Sequence, residues 1–390
     1  MKEGWVKKKL GEVCETSSGG TPTKSRSEFY ENGNIPWLRS GELNKKYILD
    51  SELHITELGM EKSSAKLFPI NTVVIAMYGA TVGQVSILKK EMTTNQAICG
   101  ILPNKTSTPE YLYYFLKSKK DAFVKDAVGG AQPNISQNLI KSTYLLYPPL
   151  PEQQQIVAEL DCLQGIIDKK KEQLQELDKL AQSIFYTMFG DPVENEKGWN
   201  HTFIKEGVEQ MFIGPFGSSL KTECYVEEEL SYCMVYEQKH AIKKNWHLDN
   251  HFINEQKFNE LKRFEVGPGD FIMSCRGTIG KIYQIPDNAP RGIIHPSLMK
   301  IRLKDAKFSS CFFTFLLDSV ISNEDTNGGC IQMAITAKKL GNIKTILPPL
   351  SLQQEFADKI TAIEQQKTRI QQSLQDTETL FNSRMDYYFG

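Results

Sequence analysis

Few groups in this chain stand at catalytic spacing. The stretch CRGTIGK, Cys275 to Lys281, has the glycines and lysine of a phosphate-binding loop. That loop, however, needs Gly where Cys275 stands and Ser or Thr where Ile282 stands. His240, His247 and His251 fall within twelve residues, but no further ligand-spaced group accompanies them, and they read as surface histidines of a polar loop. Glu260-Leu261-Lys262 with Asp249 upstream is a triplet that any charged chain produces. There is no Asn-Pro-Pro-aromatic methyltransferase motif and no glycine-rich cofactor loop following a strand. The eight cysteines, Cys14, Cys99, Cys162, Cys224, Cys233, Cys275, Cys311 and Cys330, lack CxxC or Cys/His pairing and read as buried reduced thiols. The expectation is a chain without catalytic residues, metal or cofactor of its own.

Chemistry by binding is the remaining class, and it depends on the elements that present the binders. The 390 residues suffice for two domains, and 40% hydrophobic content permits real cores. No apolar run approaches a membrane span, and the basic start MKEGWVKKKL has no apolar block behind it, so a cytoplasmic protein is expected. The net charge of -1 averages unlike segments: +5 for residues 1–150, -3 for 151–190, -1 for 191–350 and -2 for 351–390. Charge thus favours a polyanionic partner moderately for the first segment and is neutral for the third.

An internal repeat organises these segments. YPPLPEQQQI at 147–156 returns as LPPLSLQQEF at 347–356, and LFPINTVVIAMYGATVG at 67–83 aligns without a gap to FEVGPGDFIMSCRGTIG at 264–280. GWVKKKLGEV matches GWNHTFIKEGV, and MFG at Gly190 matches YFG at Gly390. Four segments follow: a first globular domain at 1–150, a helix at 151–190, a second domain at 191–350 and a helix at 351–390. Within the domains, β-prone runs such as Thr72 to Met77 and Asp270 to Ser274 precede Gly-containing turns, with one helix near Tyr111 to Lys119 and its counterpart at Cys311 to Asp318. The double prolines end a strand, and helix then starts at Glu152, or with Ser351 as N-cap and Gln354 three residues on.

Along each helix apolar residues recur at steps of four and three. They are Ile156, Leu160, Leu163, Ile167, Leu174, Leu177 and Ile184 in one, and Phe356, Ile360, Ile363, Ile370, Leu374 and Phe381 in the other. Two amphipathic helices each lying on its own domain would be an alternative, but matched lengths and heptad spacing favour a mutual seam. The fold class is therefore α+β: two similar strand-rich domains separated by two long antiparallel coiled-coil helices, related by a pseudo-twofold repeat.

Two similar but non-identical heads on a spacer suit a ligand that repeats along an axis, and duplex DNA is the obvious one, with heads about one turn or roughly 34 Å apart. At this point the chain resembles a known family, the specificity subunit of type I restriction-modification enzymes. The likeness rests on GGTP (19–22), IPWLRSGEL (35–43), ITELGMEKSSAKLFPINTV (55–73), GATVG (79–83), TNQAI (94–98), PPLPEQQQIV, GPFGSSLK (214–221) and GDFIMSCRGTIG (269–280). The resemblance implies two target-recognition domains reading a split, asymmetric target in double-stranded DNA. It also implies helices that carry two methylation subunits and, through them, restriction subunits. S-adenosylmethionine, ATP and Mg would belong to those partners. A rival reading is an assembly scaffold whose heads bind proteins rather than DNA.

Base-reading positions differ with each target, so candidates are chosen by residue type on loops. In the first domain they are Lys24, Arg26, Arg39, Tyr78, Asn95, Gln96, Gln132 and Asn134. In the second they are Ser218, Ser219, Lys221, Tyr236, Lys239, Arg276, His295 and Gln332. WLRSGELNKK (37–46) aligns to MVYEQKHAIK (234–243) at a shift of 197, which places different side chains at matching loops.

Overall fold

A computed structural model describes residues 4–125, 134–304, 307–326 and 335–390. The chain forms two compact units, Met1–Lys171 with Gln371–Gly390, and Glu172–Ile370. Each unit holds one globular head and a segment of each long helix, Leu150–Phe189 and Leu350–Phe389.

The heads are strand-rich because their short β-branched runs are cut by glycine and proline turns. In the first head a five-stranded sheet runs Thr16–Ser18, Ile98–Ile101, Val73–Ala76, Val85–Leu88, Tyr47–Ile48. A second sheet runs His54–Ile55, Ile35–Leu38, Met92–Thr94, Leu67–Phe68. The second head repeats this with Val208–Ile213, Leu298–Leu303, Phe271–Ser274, Ile282–Gln284, and with His251–Ile253, Cys233–Tyr236, Gly292–Ile294, Glu265–Val266. In both, one parallel pair anchors the second of these sheets: Leu38 beside Thr94, and Tyr236 beside Ile294. Leu38 therefore matches Tyr236, at a shift of 198 rather than 197. The one-residue slip matters because it moves every side chain of the strand to the other face. Ala76 likewise matches Ser274 while Gly83 matches Gly280, so the 67–83 and 264–280 stretches carry a one-residue gap rather than aligning without one.

A helix backs each head. Pro109–Ser118 opens with the Thr108 hydroxyl accepting from the Tyr111 amide and buries Tyr111, Leu112, Tyr114, Phe115 and Leu116. Its counterpart is Ser310–Thr326, where Ser309 Oγ accepts from the Phe312 amide. The heads end in matched strand pairs, Val6–Lys9 with Tyr144–Tyr147 and Asn200–Phe203 with Lys344–Leu347, which lead into the double prolines.

The repeated phrase that follows is a joint. Gln153 is fully buried: its Oε1 accepts from the Thr108 amide at 2.9 Å, and its Nε2 donates to the carbonyls of Thr106 (2.8 Å) and Pro148 (2.9 Å). Gln353 does the same with the Ser309 amide (2.8 Å) and the carbonyls of Lys307 (3.0 Å) and Pro348 (2.9 Å). One amide thus satisfies a loop and a strand end at the first turn of each helix. Ser351 lies inside the helix that begins at Leu350, so it is not the N-cap, and Gln354 turns to Asp358 instead.

Inside the first unit the helix segments run antiparallel. Glu159 meets Arg384 and Tyr388, and Lys170 Nζ donates to the hydroxyls of Ser373 and Thr377, both at 2.7 Å. The second unit has the same sense, with Asp178 at 2.8 Å from Lys367 and Phe185 against Phe356. Ile156, Leu160, Ile167, Phe356, Ile360, Ile363 and Phe381 are buried, while Leu163, Leu174, Leu177, Ile184, Ile370 and Leu374 are half-buried. The helices also lie on the heads. Phe389 meets Tyr111 at 5.2 Å between ring centres, and Phe189 meets Phe312 at 4.8 Å. Phe185, Phe189, Met385 and Phe389 sit one position beyond the heptad seam and widen the apolar stripe to reach the head. Seam and head contact are therefore both made, not alternatives.

Among the described residues no helix is long and apolar enough to cross a membrane, and no cluster of His, Cys, Asp and Glu could hold a metal. Cys14, Cys99, Cys233 and Cys275 are buried, but Cys162 is exposed and Cys224 and Cys311 are half-buried, so the expectation of buried thiols holds only in part; Cys330 lies outside the described residues.

Candidate nucleic-acid interface

Four loops of the first head are tied into one edge. The Gly19 and Gly20 amides donate to the carbonyls of Ile98 (3.2 Å) and Thr94 (2.8 Å), the Met77 amide to Ala97 (2.7 Å), and the Ile135 amide to Met77 (2.7 Å). The glycine pair is required by this close approach: a Cβ on Gly19 would stand 2.1 Å from Thr94 Oγ1, and one on Gly20 would stand 2.2 Å from the Ser64 carbonyl carbon. Onto this edge project Tyr78, Asn95, Gln96 and Asn134. The Tyr78 hydroxyl donates to the Gln96 carbonyl, Thr21 donates to the Gln96 side chain, and Tyr78 and Asn134 form a backbone bridge. Partial burial raises the Tyr78 pKa, so its hydroxyl stays a neutral donor and acceptor. Asn95 Oδ1 is buried, and among the described residues it has no hydrogen-bond partner.

The remaining candidates of this head lie apart from that cluster or are already engaged. Lys24 and Arg26 are exposed on the loop beyond Pro22, with Arg26 3.4 Å from Glu28 and over the Phe29 ring. Arg39 is half-buried between Glu42, at 3.1 Å, and Glu52, which occupy its donors. Gln132 and, in the second head, Gln332 lie outside the described residues.

The second head builds the same edge apart from the Gly20 bond, because Pro215 stands there and has no amide hydrogen. The Gly214 amide donates to Leu298, Cys275 to Ser297, His295 to Tyr236 and Ile335 to Cys275, at 2.8 to 3.1 Å, where the first head uses Gly19, Met77, Asn95 and Ile135. The frame matches while the side chains do not. Tyr78 is replaced by Arg276, Asn95 by His295, Gln96 by Pro296 and Thr21 by Phe216. Arg276 is exposed, and among the described residues no carboxylate pairs with it. Its loop is held by Gln238 Nε2, which donates to the carbonyls of Arg276 (2.8 Å) and Thr278 (3.3 Å). His295 is half-buried with its ring 2.8 Å from Ser297 Oγ, and burial holds its pKa below the ordinary histidine value. Ser218 and Lys221 are exposed beside Phe216, and Ser219 is half-buried. An edge of this kind can read base edges with amide, imidazole and guanidinium groups.

Two candidates of the second head change role. Tyr236 is fully buried, and its hydroxyl donates to the Pro290 carbonyl at 2.6 Å, so it is a core residue and cannot reach a ligand. Lys239 is half-buried and paired with Glu237 at 2.8 Å. The histidine group also differs from a surface loop. His240 is fully buried, with Nδ1 accepting from the Glu237 amide at 2.7 Å and Nε2 2.8 Å from Asn250 Oδ1, while His251 stacks on Tyr225 and lies 3.0 Å from Glu237. Gln238 and Phe216 were not legible by type alone. The signal for Phe216 was its setting, Gly-Pro-Phe-Gly, which marks an exposed loop tip.

Comparison with known proteins places this arrangement. A family model described as the type I restriction modification DNA specificity domain matches residues 2–179 and again 220–377. The MjaIX specificity subunit of Methanocaldococcus jannaschii is 28% identical over 375 residues, covering 90% of this chain and 85% of that protein. The EcoR124I/EcoR124II specificity subunit of Escherichia coli is 32% identical over 188 residues, covering 47% of this chain and 46% of that protein. Among solved structures, a chain from work on complex assembly and conformational transition of the type I restriction-modification system aligns with TM-score 0.64 and 19% identity, covering 100% of this chain and 98% of that one. The S subunit from M. genitalium aligns with TM-score 0.54 and 16% identity, over 99% and 96% of the two chains. With the domain matched twice, once on each head and its adjoining helix, the chain belongs to the type I restriction-modification specificity family.

Proposed function

We propose that each head reads one half of a split, asymmetric sequence in double-stranded DNA. The long helices hold the methylation subunits, two of them to match the repeat, and restriction subunits join through these. The chain supplies specificity and no catalysis. S-adenosylmethionine, ATP and Mg act on the partner subunits, and the complex works in the cytoplasm. The observation that carries this reading is the shared edge with unshared side chains, Tyr78, Asn95 and Gln96 against Arg276, His295 and Pro296. An exposed arginine suits bidentate pairing with guanine.

The test is methylome sequencing of a host carrying the chain with its methylation subunits, followed by affinity measurements on the motif found. A bipartite, non-palindromic motif bound by the complex with affinity that falls steeply with salt supports the reading. A palindromic motif, or binding indifferent to sequence and salt, contradicts it. Purified chain alone should show no methyl transfer and no cleavage.

A further inference from the structure

Phe216 is 86% exposed, the highest value among the large hydrophobic side chains of the described residues. Leaving such a ring in water forgoes the free energy its burial would release, and its loop is not free to tuck it away. Before it, Gly214 lies so close to the 295 strand end that a Cβ would stand 2.3 Å from the His295 carbonyl oxygen, and its amide is bonded to Leu298. Pro215 is buried. After it, the Phe216 carbonyl accepts from the Ser219 amide at 2.8 Å, and Leu220, 4% exposed, is sunk in the head's core. The ring therefore stands on a tip pinned at both ends.

Its surroundings are those of the reading edge. Through the 295–298 segment the tip is tied to Cys275, next to the exposed Arg276, and the exposed Lys221 follows five residues later. At the matched position of the first head, Thr21 is hydrogen-bonded to Gln96, which leaves no apolar projection there. A rigid apolar tip flanked by cations suits a duplex whose phosphates meet the cations while the tip enters the base stack.

We propose that Phe216 is an apolar wedge that inserts at one base step of the half-site read by the second head, partly unstacking it, and that the first head reads without a wedge. This inference rests on the DNA-reading function proposed above.

The test uses the full chain assembled with its methylation subunits and duplexes bearing 2-aminopurine, placed one position at a time across both half-sites but not at the adenines that are methylated. The wild-type complex should brighten one probe in the second half-site only. Phe216→Ala should lose that signal and bind about 10-fold more weakly or worse, while Phe216→Leu, still apolar, should keep the signal. Unchanged signal and affinity in Phe216→Ala would overturn the proposal. So would weakened assembly with the methylation subunits and unaltered DNA binding per assembled complex, which would make the ring a protein contact. If the wild-type complex shows no salt-sensitive, sequence-specific binding, the underlying reading fails as well, and that result is distinct from loss of the wedge alone.

Discussion

In the first head, Gly100 lies under the ring of Phe68, so close that a Cβ would stand 2.5 Å from it. In the second head the matched residues are Lys300 and Val266, and the exchange is one of size as well as charge: a large ring over no side chain becomes a small side chain beside a long one. Lys300 reaches Asp270, which is 1% exposed and also accepts from Arg302 at 2.6 and 2.8 Å and from the Gly267 amide at 3.1 Å. Thr72 occupies the place of Asp270 in the first head and needs only the Pro69 carbonyl. One backbone thus carries an apolar filling in one copy and, in the other, a buried Lys300–Asp270 pair that a partly exposed Arg302 caps. The same tolerance operates at the proposed reading edge, where the hydrogen-bonded frame is kept and the projecting side chains are exchanged.

Asp270→Ala has the largest expected effect. It strands the buried Lys300 ammonium, whose pKa burial already lowers, and removing one partner of a buried pair costs about 3–5 kcal/mol. Thr72→Ala should cost only about 1 kcal/mol. Hydrogen exchange resolved by peptide should show the second head opening in the first variant and neither head opening in the other.

Gln153→Ala and Gln353→Ala sharpen the comparison from the opposite side, because here the heads are alike. Each substitution leaves one amide and two carbonyls without their partner, and each group that stays buried and unpaired costs about 1–3 kcal/mol. Thermal melts of the two variants should fall by similar amounts. A large loss from one and none from the other would mean that the joints are not equivalent.

A smaller, pH-dependent difference follows from the histidines. Burial lowers the pKa of both His240 and His295, so the folded second head favours their neutral forms. The unfolded chain binds those protons at about pH 6.5. Stability from these groups is fully present above that pH and is lost as pH falls through it towards the folded values. The first unit has a single histidine, His54, paired with Asp50 at 3.2 Å. Acidification from pH 7.5 to 5.5 should raise hydrogen exchange in the second head before the first.

Much of the architecture was legible because repeats and periodicity are properties of sequence spacing. The seam and the back helices announce themselves that way. What was hidden depends on neighbours brought together by the fold. Gln153 and Gln353 read as polar residues on a helix surface, and nothing local shows that two loops close over them. His240 and Tyr236 read as exposed polar and aromatic groups until strand register buries them. Register itself was one residue off, because WLRS and MVYE have no glycine or proline in common to fix the alignment, whereas the pairing of Leu38 with Thr94 and Tyr236 with Ile294 does fix it. Arg39 was chosen as a free cation, and only its two carboxylate partners, three and thirteen residues on, show that it is not.

If matched positions on a common frame read different halves of one target, Arg276→Gln should alter one half-site and spare the other. The measurement is methylome sequencing of hosts expressing the full complex with wild-type or variant chain. The account predicts relaxed or altered specificity at one base pair of one half-site, worth about 1–3 kcal/mol of discrimination, with the other half-site and its sequence unchanged. Alteration of both half-sites, or a uniform loss of methylation with neither sequence relaxed, would contradict it.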